Sequence, residues 1–172
     1  MFLVNTHENH GKPLEAVDAE TLGSAAAERV ERHLAFRENH RATPLHALAV
    51  LASESGVGTL HVKDEGPRFG LGSFKALGGA YAVSCLVLEE SSTQLGRKVD
   101  VSELHSQEVR SVAATMIFAC ATDGNHGRSV AQGAQMVGAN SAIFVHGGVS
   151  DQRIAAIARF GAQIFCVDGT YD

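Results

Sequence analysis

The hydrophobic and polar positions describe a weakly patterned lead followed by a strongly patterned second half. Residues 1–20 are polar and read as an arm. Residues 24–38 have helical spacing, with Ser24 able to cap and Val30, Leu34 and Phe36 on one side. Pro44 interrupts, and residues 45–53 predict a second, apolar helix that ends near Gly56 and Gly58. Residues 59–64 alternate apolar and polar side chains, the pattern of a strand. Residues 74–88, behind Ser73, are rich in Ala and Leu at helical spacing. Residues 90–110 are polar, with little period beyond Val101 and Leu104, and read as a surface excursion with room for a short helix.

From residue 115 the pattern becomes regular. Residues 115–121 (TMIFACA) form a continuous apolar run of strand length, and residues 126–138 predict a helix ended by Gly138. Residues 141–146 read as a strand, 151–160 as a helix ended by Gly161, and 163–167 as a further strand. Strand alternating with helix, the strands fully apolar, predicts an α/β fold of open parallel sheets covered by helices on both faces. Asp172 follows a strand and a Gly-Thr turn, where another helix is expected. The chain therefore reads as the front part of a longer protein.

Composition narrows the class. The 172 residues are 45% hydrophobic, 19% charged and 6% aromatic, which excludes intrinsic disorder. No apolar run reaches the roughly 18 residues of a membrane span, and the polar start carries no signal-peptide pattern. A net charge of −5, with no Lys/Arg cluster, argues against nucleic acid as a partner. Cys85, Cys120 and Cys166 are far apart and read as buried structural thiols of a reducing, cytoplasmic compartment. His7 and His10 are the one close histidine pair, and nothing near them completes a metal-ligand set.

Two motifs carry chemistry. In Arg68-Phe69-Gly70-Leu71-Gly72-Ser73-Phe74-Lys75, glycines shape a loop and Lys75 falls in the first turn of a helix. The helix dipole and the flanking Phe74, Ala76 and Leu77 both disfavour the ammonium there. A free amine of this kind forms Schiff bases, although a lysine snorkelling from a helix start has the same spacing. The second motif, Thr122-Asp123-Gly124-Asn125-His126-Gly127, lies between an apolar strand and a helix. Such turns sit where open parallel sheets bind ligands, and helix-opening N–H groups can hold an anion. Asn125 can hydrogen-bond a ring oxygen, and Asp123 stands where a proton acceptor would serve. A plain Asp/Asn-capped turn would also look like this.

Taken together, the motifs resemble a known pattern. Ser73-Phe74-Lys75 with Gly78-Gly79 resembles the cofactor-lysine segment of the fold-type II pyridoxal-phosphate enzymes, the tryptophan synthase β and threonine dehydratase group. Thr122 to Gly127 is similar to that group's asparagine loop. The wording of this loop with Arg128, together with Lys63-Asp64-Glu65 and Arg68-Phe69-Gly70-Leu71, is similar to the diaminopropionate ammonia-lyases. The resemblance runs from about Thr43 to Asp172.

It implies pyridoxal 5′-phosphate as cofactor, held by Lys75 through a Schiff base, with Asn125 on the 3′-oxygen of its ring. It implies that Thr122, Asp123, Gly124, Asn125 and His126 receive the substrate carboxylate, and that Asp123 takes the α-proton of one enantiomer. The reaction implied is β-elimination of 2,3-diaminopropionate to pyruvate and ammonia in a cytoplasmic homodimer. A serine or threonine dehydratase-like lyase and a non-catalytic fragment are the alternatives. The implied organisation is an arm and helix over residues 1–42 and the start of a large domain over 43–74. A small domain follows over 75–150, with a return to the large one over 151–172. The family's glycine-rich phosphate loop, and the acid serving the opposite enantiomer, are expected beyond residue 172. The sequence departs from the pattern at Gly72, and at His146-Gly147-Gly148-Val149, where relatives carry a Pro-containing turn.

Overall fold

The computed structural model describes residues 3–169, which fall in two compact units divided after Ala35. The first unit holds helices α1 (Ala16–Leu22) and α2 (Ser24–Ala35). Helix α1 lies where the pattern read an arm. Its AVDAETL sequence suits a helix but buries no residue, so it has no apolar stripe to reveal it.

The second unit begins with a small antiparallel ribbon. Strand β1 (Leu45–Ala47) pairs with β2 (His61–Lys63) in the register Leu45↔Lys63, His46↔Val62 and Ala47↔His61, with α3 (Ala49–Glu54) between them. The helix read over residues 45–53 is thus half strand. Pairing with β2 overrides local propensity, and the Asp64 N–H extends it by donating to the Pro44 carbonyl at 2.9 Å.

Behind the ribbon lies an ionic cluster. Arg68, 9% exposed, donates from Nε to Glu65 Oε2 at 2.7 Å, from Nη1 to the Arg41 carbonyl at 3.0 Å and from Nη2 to Thr43 Oγ1 at 3.1 Å. Hydrogen bonds from Arg68 and then Thr43 hold the Glu65 carboxyl down from 4.5 to about 2. A carboxyl held lower in the folded chain than in the unfolded one stabilises the fold above about pH 4.5 and loses that contribution as pH falls toward 2. Glu65→Gln is therefore expected to flatten the fall in stability over that window. Denaturant midpoints measured across it provide the check, and an unchanged slope would refute it.

The rest is the α/β body. Helix α4 (Lys75–Leu95) runs past the predicted end because Glu89, Glu90 and Gln94 continue it without an apolar stripe, and Gly96 closes it at φ 64°. Helix α5 (Gln107–Ala113) follows, capped by Ser106 Oγ on the Val109 N–H at 3.3 Å. Strands β3 (Ile117–Ala121), β4 (Asn140–His146) and β5 (Gln163–Val167) form a parallel sheet in that order, joined by α6 (Asn125–Val137) and α7 (Asp151–Ala158). Val83, Val87, Val130, Ile143, Val145 and Ile157 share one core between sheet and helices. Helices on both faces were expected. Instead, Ile117, Phe144 and Phe165 on the other face are exposed, and the two phenylalanines stack at 5.1 Å.

The thiols also differ from expectation. Cys85 and Cys166 are exposed and Cys120 is partly buried, and all are free. Cys85 points away from the buried stripe of α4, and Cys166 lies on the outer strand of the sheet. Burial raises the Cys120 thiol above its ordinary value. Among the described residues, no helix is long and apolar enough to cross a membrane.

Candidate active site

Lys75 opens α4 after a turn that holds Phe69 at φ 47° and Gly70 and Gly72 near φ 70°. The Lys75 N–H donates to Ser73 Oγ at 3.2 Å within the turn that leads into the helix, whose N-cap position is Phe74. Leu71 anchors the turn at 2% exposure. The apolar flank expected around the amine is open: Ala76 is buried, whereas Phe74 is 64% exposed and Lys75 is exposed.

What sets Lys75 in place is α6. The Ser129 hydroxyl accepts from the Ala80 N–H at 3.1 Å and donates to the Ala76 carbonyl at 3.3 Å. Those two groups belong to the α4 turn that follows Lys75, so one side chain locks the start of α4 onto α6. The contact is close because side chains are missing from it. A Cβ on Gly79 would lie 2.7 Å from Ser129 Oγ, and one on Gly133 would lie 2.7 Å from Ala80 Cα. Gln132 adds a bond from Nε2 to the Phe69 carbonyl at 3.4 Å.

The opposite wall is the loop between β3 and α6. Thr122 is buried, and its Oγ1 accepts from the N–H groups of both Gly124 and Gly127 at 3.0 Å. Its own N–H donates to the Phe144 carbonyl at 3.0 Å, which ties the loop to the end of β4. Gly124 takes φ 151° and ψ −79° before α6 begins at Asn125, a conformation that favours glycine. Asp123, Asn125 and His126 are thereby left exposed around the helix start.

The six candidate catalytic and binding residues come together. Lys75, Thr122, Asp123, Gly124, Asn125 and His126 line one cleft of about 450 Å³. Arg153 completes the lining, and motif reading had missed it. It lies on α7, after β4, and its Cδ comes 3.6 Å from the point where a Gly124 Cβ would stand. Parallel neighbours put the starts of α6 and α7 at the same edge of the sheet, a topological signal that could have pointed to it. His146 was also missed: its Nε2 lies 3.1 Å from Asp123 Oδ1. The cleft brings together an amine, an amide, a carboxylate and a guanidinium around Gly124. It fits a small aldehyde-bearing cofactor with an amino-acid partner.

The pyridoxal-phosphate dependent enzyme family model matches residues 36–172. The chain belongs to this family. Among curated relatives, the diaminopropionate ammonia-lyase of Escherichia coli K12 is 42% identical over 134 residues, covering 77% of this chain and 32% of its own length. The Salmonella typhimurium diaminopropionate ammonia-lyase is 37% identical over 142 residues, covering 81% and 35%. The crystal structure of the E. coli enzyme in apo form superposes with a TM-score of 0.75 at 39% identity, covering 85% of this chain and 38% of that one. This pyridoxal-phosphate family member thus spans about a third of the length of the curated relatives it matches.

Proposed function

We propose that this chain supplies the lysine and asparagine-loop part of a pyridoxal-phosphate-dependent ammonia-lyase that converts 2,3-diaminopropionate to pyruvate and ammonia. The observation that carries the reading is the single cleft shared by Lys75 and the Thr122–His126 loop. Identity of 42% to a diaminopropionate ammonia-lyase supports the substrate. When bound, pyridoxal phosphate supplies an electron sink for charge developing at the amino acid Cα.

The residues of this cleft each have a part. Lys75 would hold the cofactor covalently, and Asn125 would hydrogen-bond the 3′-oxygen of its ring. The N–H groups opening α6 receive the substrate carboxylate, with Thr122 keeping the loop in shape and His126 at its rim. Asp123 takes the α-proton of one enantiomer. The net change would be 2,3-diaminopropionate and water to pyruvate and two molecules of ammonia, the α-proton being made up on the departing β-nitrogen. The same reading makes residues 75–150 a small domain set into a larger one, in a cytoplasmic homodimer.

Absorbance of the protein with pyridoxal phosphate tests this. A band near ~420 nm that Lys75→Ala removes is the expected result, because Lys75 is the lysine that lines the cleft and its amine can capture the aldehyde. A band indifferent to Lys75 defeats the reading. Ammonia release from serine, with none from 2,3-diaminopropionate, would move the chain to the dehydratases.

A further inference from the structure

We infer that His146 is a positioning residue for Asp123, orienting its carboxylate as the proton acceptor of the cleft; this rests on the acceptor role proposed above. The two side chains meet because of strand register. Ala121 pairs with Phe144, so Asp123 leaves β3 beside the residue that ends β4, His146. The His-Gly-Gly-Val turn, which the sequence marked only as a departure, is thus what reaches the acid.

The hydrogen bonds define the tautomer. His146 Nδ1 lies 3.0 Å from the Gly148 N–H. A backbone N–H can only donate, so Nδ1 accepts and carries no proton. The proton of the neutral ring then sits on Nε2, which is 3.1 Å from Asp123 Oδ1 and donates to it. This holds Oδ1 and leaves Oδ2 as the acceptor for a substrate proton. The histidine side chain is 27% exposed and the aspartate 59%, so the imidazole is the anchored partner and the carboxylate gains an orientation. Gly148 is required for the approach: a Cβ there would lie 2.8 Å from His146 Cε1 and 3.0 Å from Nδ1.

NMR of the chain with ¹⁵N-labelled histidine reads the pair without cofactor or turnover. The expected result is an Nε2–H tautomer for His146 that Asp123→Ala perturbs and that Gly148→Ala, by displacing the ring, converts toward a mixture. An Nδ1–H tautomer, or a signal indifferent to Asp123→Ala, overturns the proposal. A second arm follows exchange of the 2,3-diaminopropionate α-proton for deuterium in the presence of pyridoxal phosphate. His146→Ala is expected to slow exchange about tenfold, as loss of orientation at a reacting group does. His146→Gln, whose amide can donate to the same oxygen, is expected to recover most of it. In an Asp123→Asn background the His146→Ala change is expected to have no effect, and a slowing of equal size there overturns the proposal. Exchange absent from every form, with the tautomer intact, overturns the lyase reading and the acceptor role with it, while the His146–Asp123 pair stands.

Discussion

Gly127→Ala is expected to lower stability and to abolish the pyridoxal-phosphate absorbance band together. The new Cβ would lie 2.4 Å from Thr122 Cγ2, 3.2 Å from Thr122 Cβ and 3.0 Å from Ile143 Cγ2. Neither neighbour can give way. Ile143 is fully buried in the core, and Thr122, 3% exposed, is held by its backbone bond to Phe144 and by the two N–H groups on its hydroxyl. Overpacking alone costs about 1–3 kcal/mol. Relief by moving the loop would also break the Thr122 hydroxyl bonds to Gly124 and Gly127, leaving buried donors at roughly 1–3 kcal/mol each. Since the same loop lines the cleft with Lys75, its displacement also takes Asn125 away from the cofactor. Urea unfolding and an absorbance titration check both halves. A variant with the parent midpoint and the parent band would show that the loop is not held as described.

Asp123→Asn is expected to lower α-proton exchange from one enantiomer of 2,3-diaminopropionate by about 10²–10⁴-fold, the usual contribution of a positioned base. The fold should hardly notice. Asp123 is 59% exposed on its side chain, and an asparagine oxygen can still accept from His146 Nε2. A chemical loss without a structural one therefore separates this variant from Gly127→Ala. Deuterium exchange followed for each enantiomer, beside the denaturant midpoint, provides the measurement. Equal exchange by variant and parent for both enantiomers would remove Asp123 from the chemistry.

The elements that the pattern revealed are those whose burial repeats with their own geometry. Strand β4 alternates buried Ile143 and Val145 with more open neighbours, and α6 buries Val130, Ala134 and Val137 at helical spacing. Elements without such a stripe were misread. Helix α1 buries nothing, the last turns of α4 are polar, and β1 exists only because β2 pairs with it. The Cys166 thiol was misplaced for a related reason: an apolar run shows that a strand will form, not which of its faces a neighbour will cover.

The candidate site divides in the same way. Lys75 and the Thr122–His126 loop were legible because each chemistry is written in contiguous residues, glycines before a lysine in one and a strand-to-helix turn in the other. Sequence alone therefore determined the α/β character of the second half, the family resemblance and the six residues of the cleft drawn from the motifs. Only the tertiary structure decided that Ser129 locks the start of α4, that Arg153 closes the cleft and that His146 meets Asp123. Those partners stand 53, 29 and 23 residues apart along the chain. Local propensity carries no information over such separations. They come together through the close packing of α4 on α6 and through the parallel register, which brings the ends of β3 and β4 to one edge of the sheet.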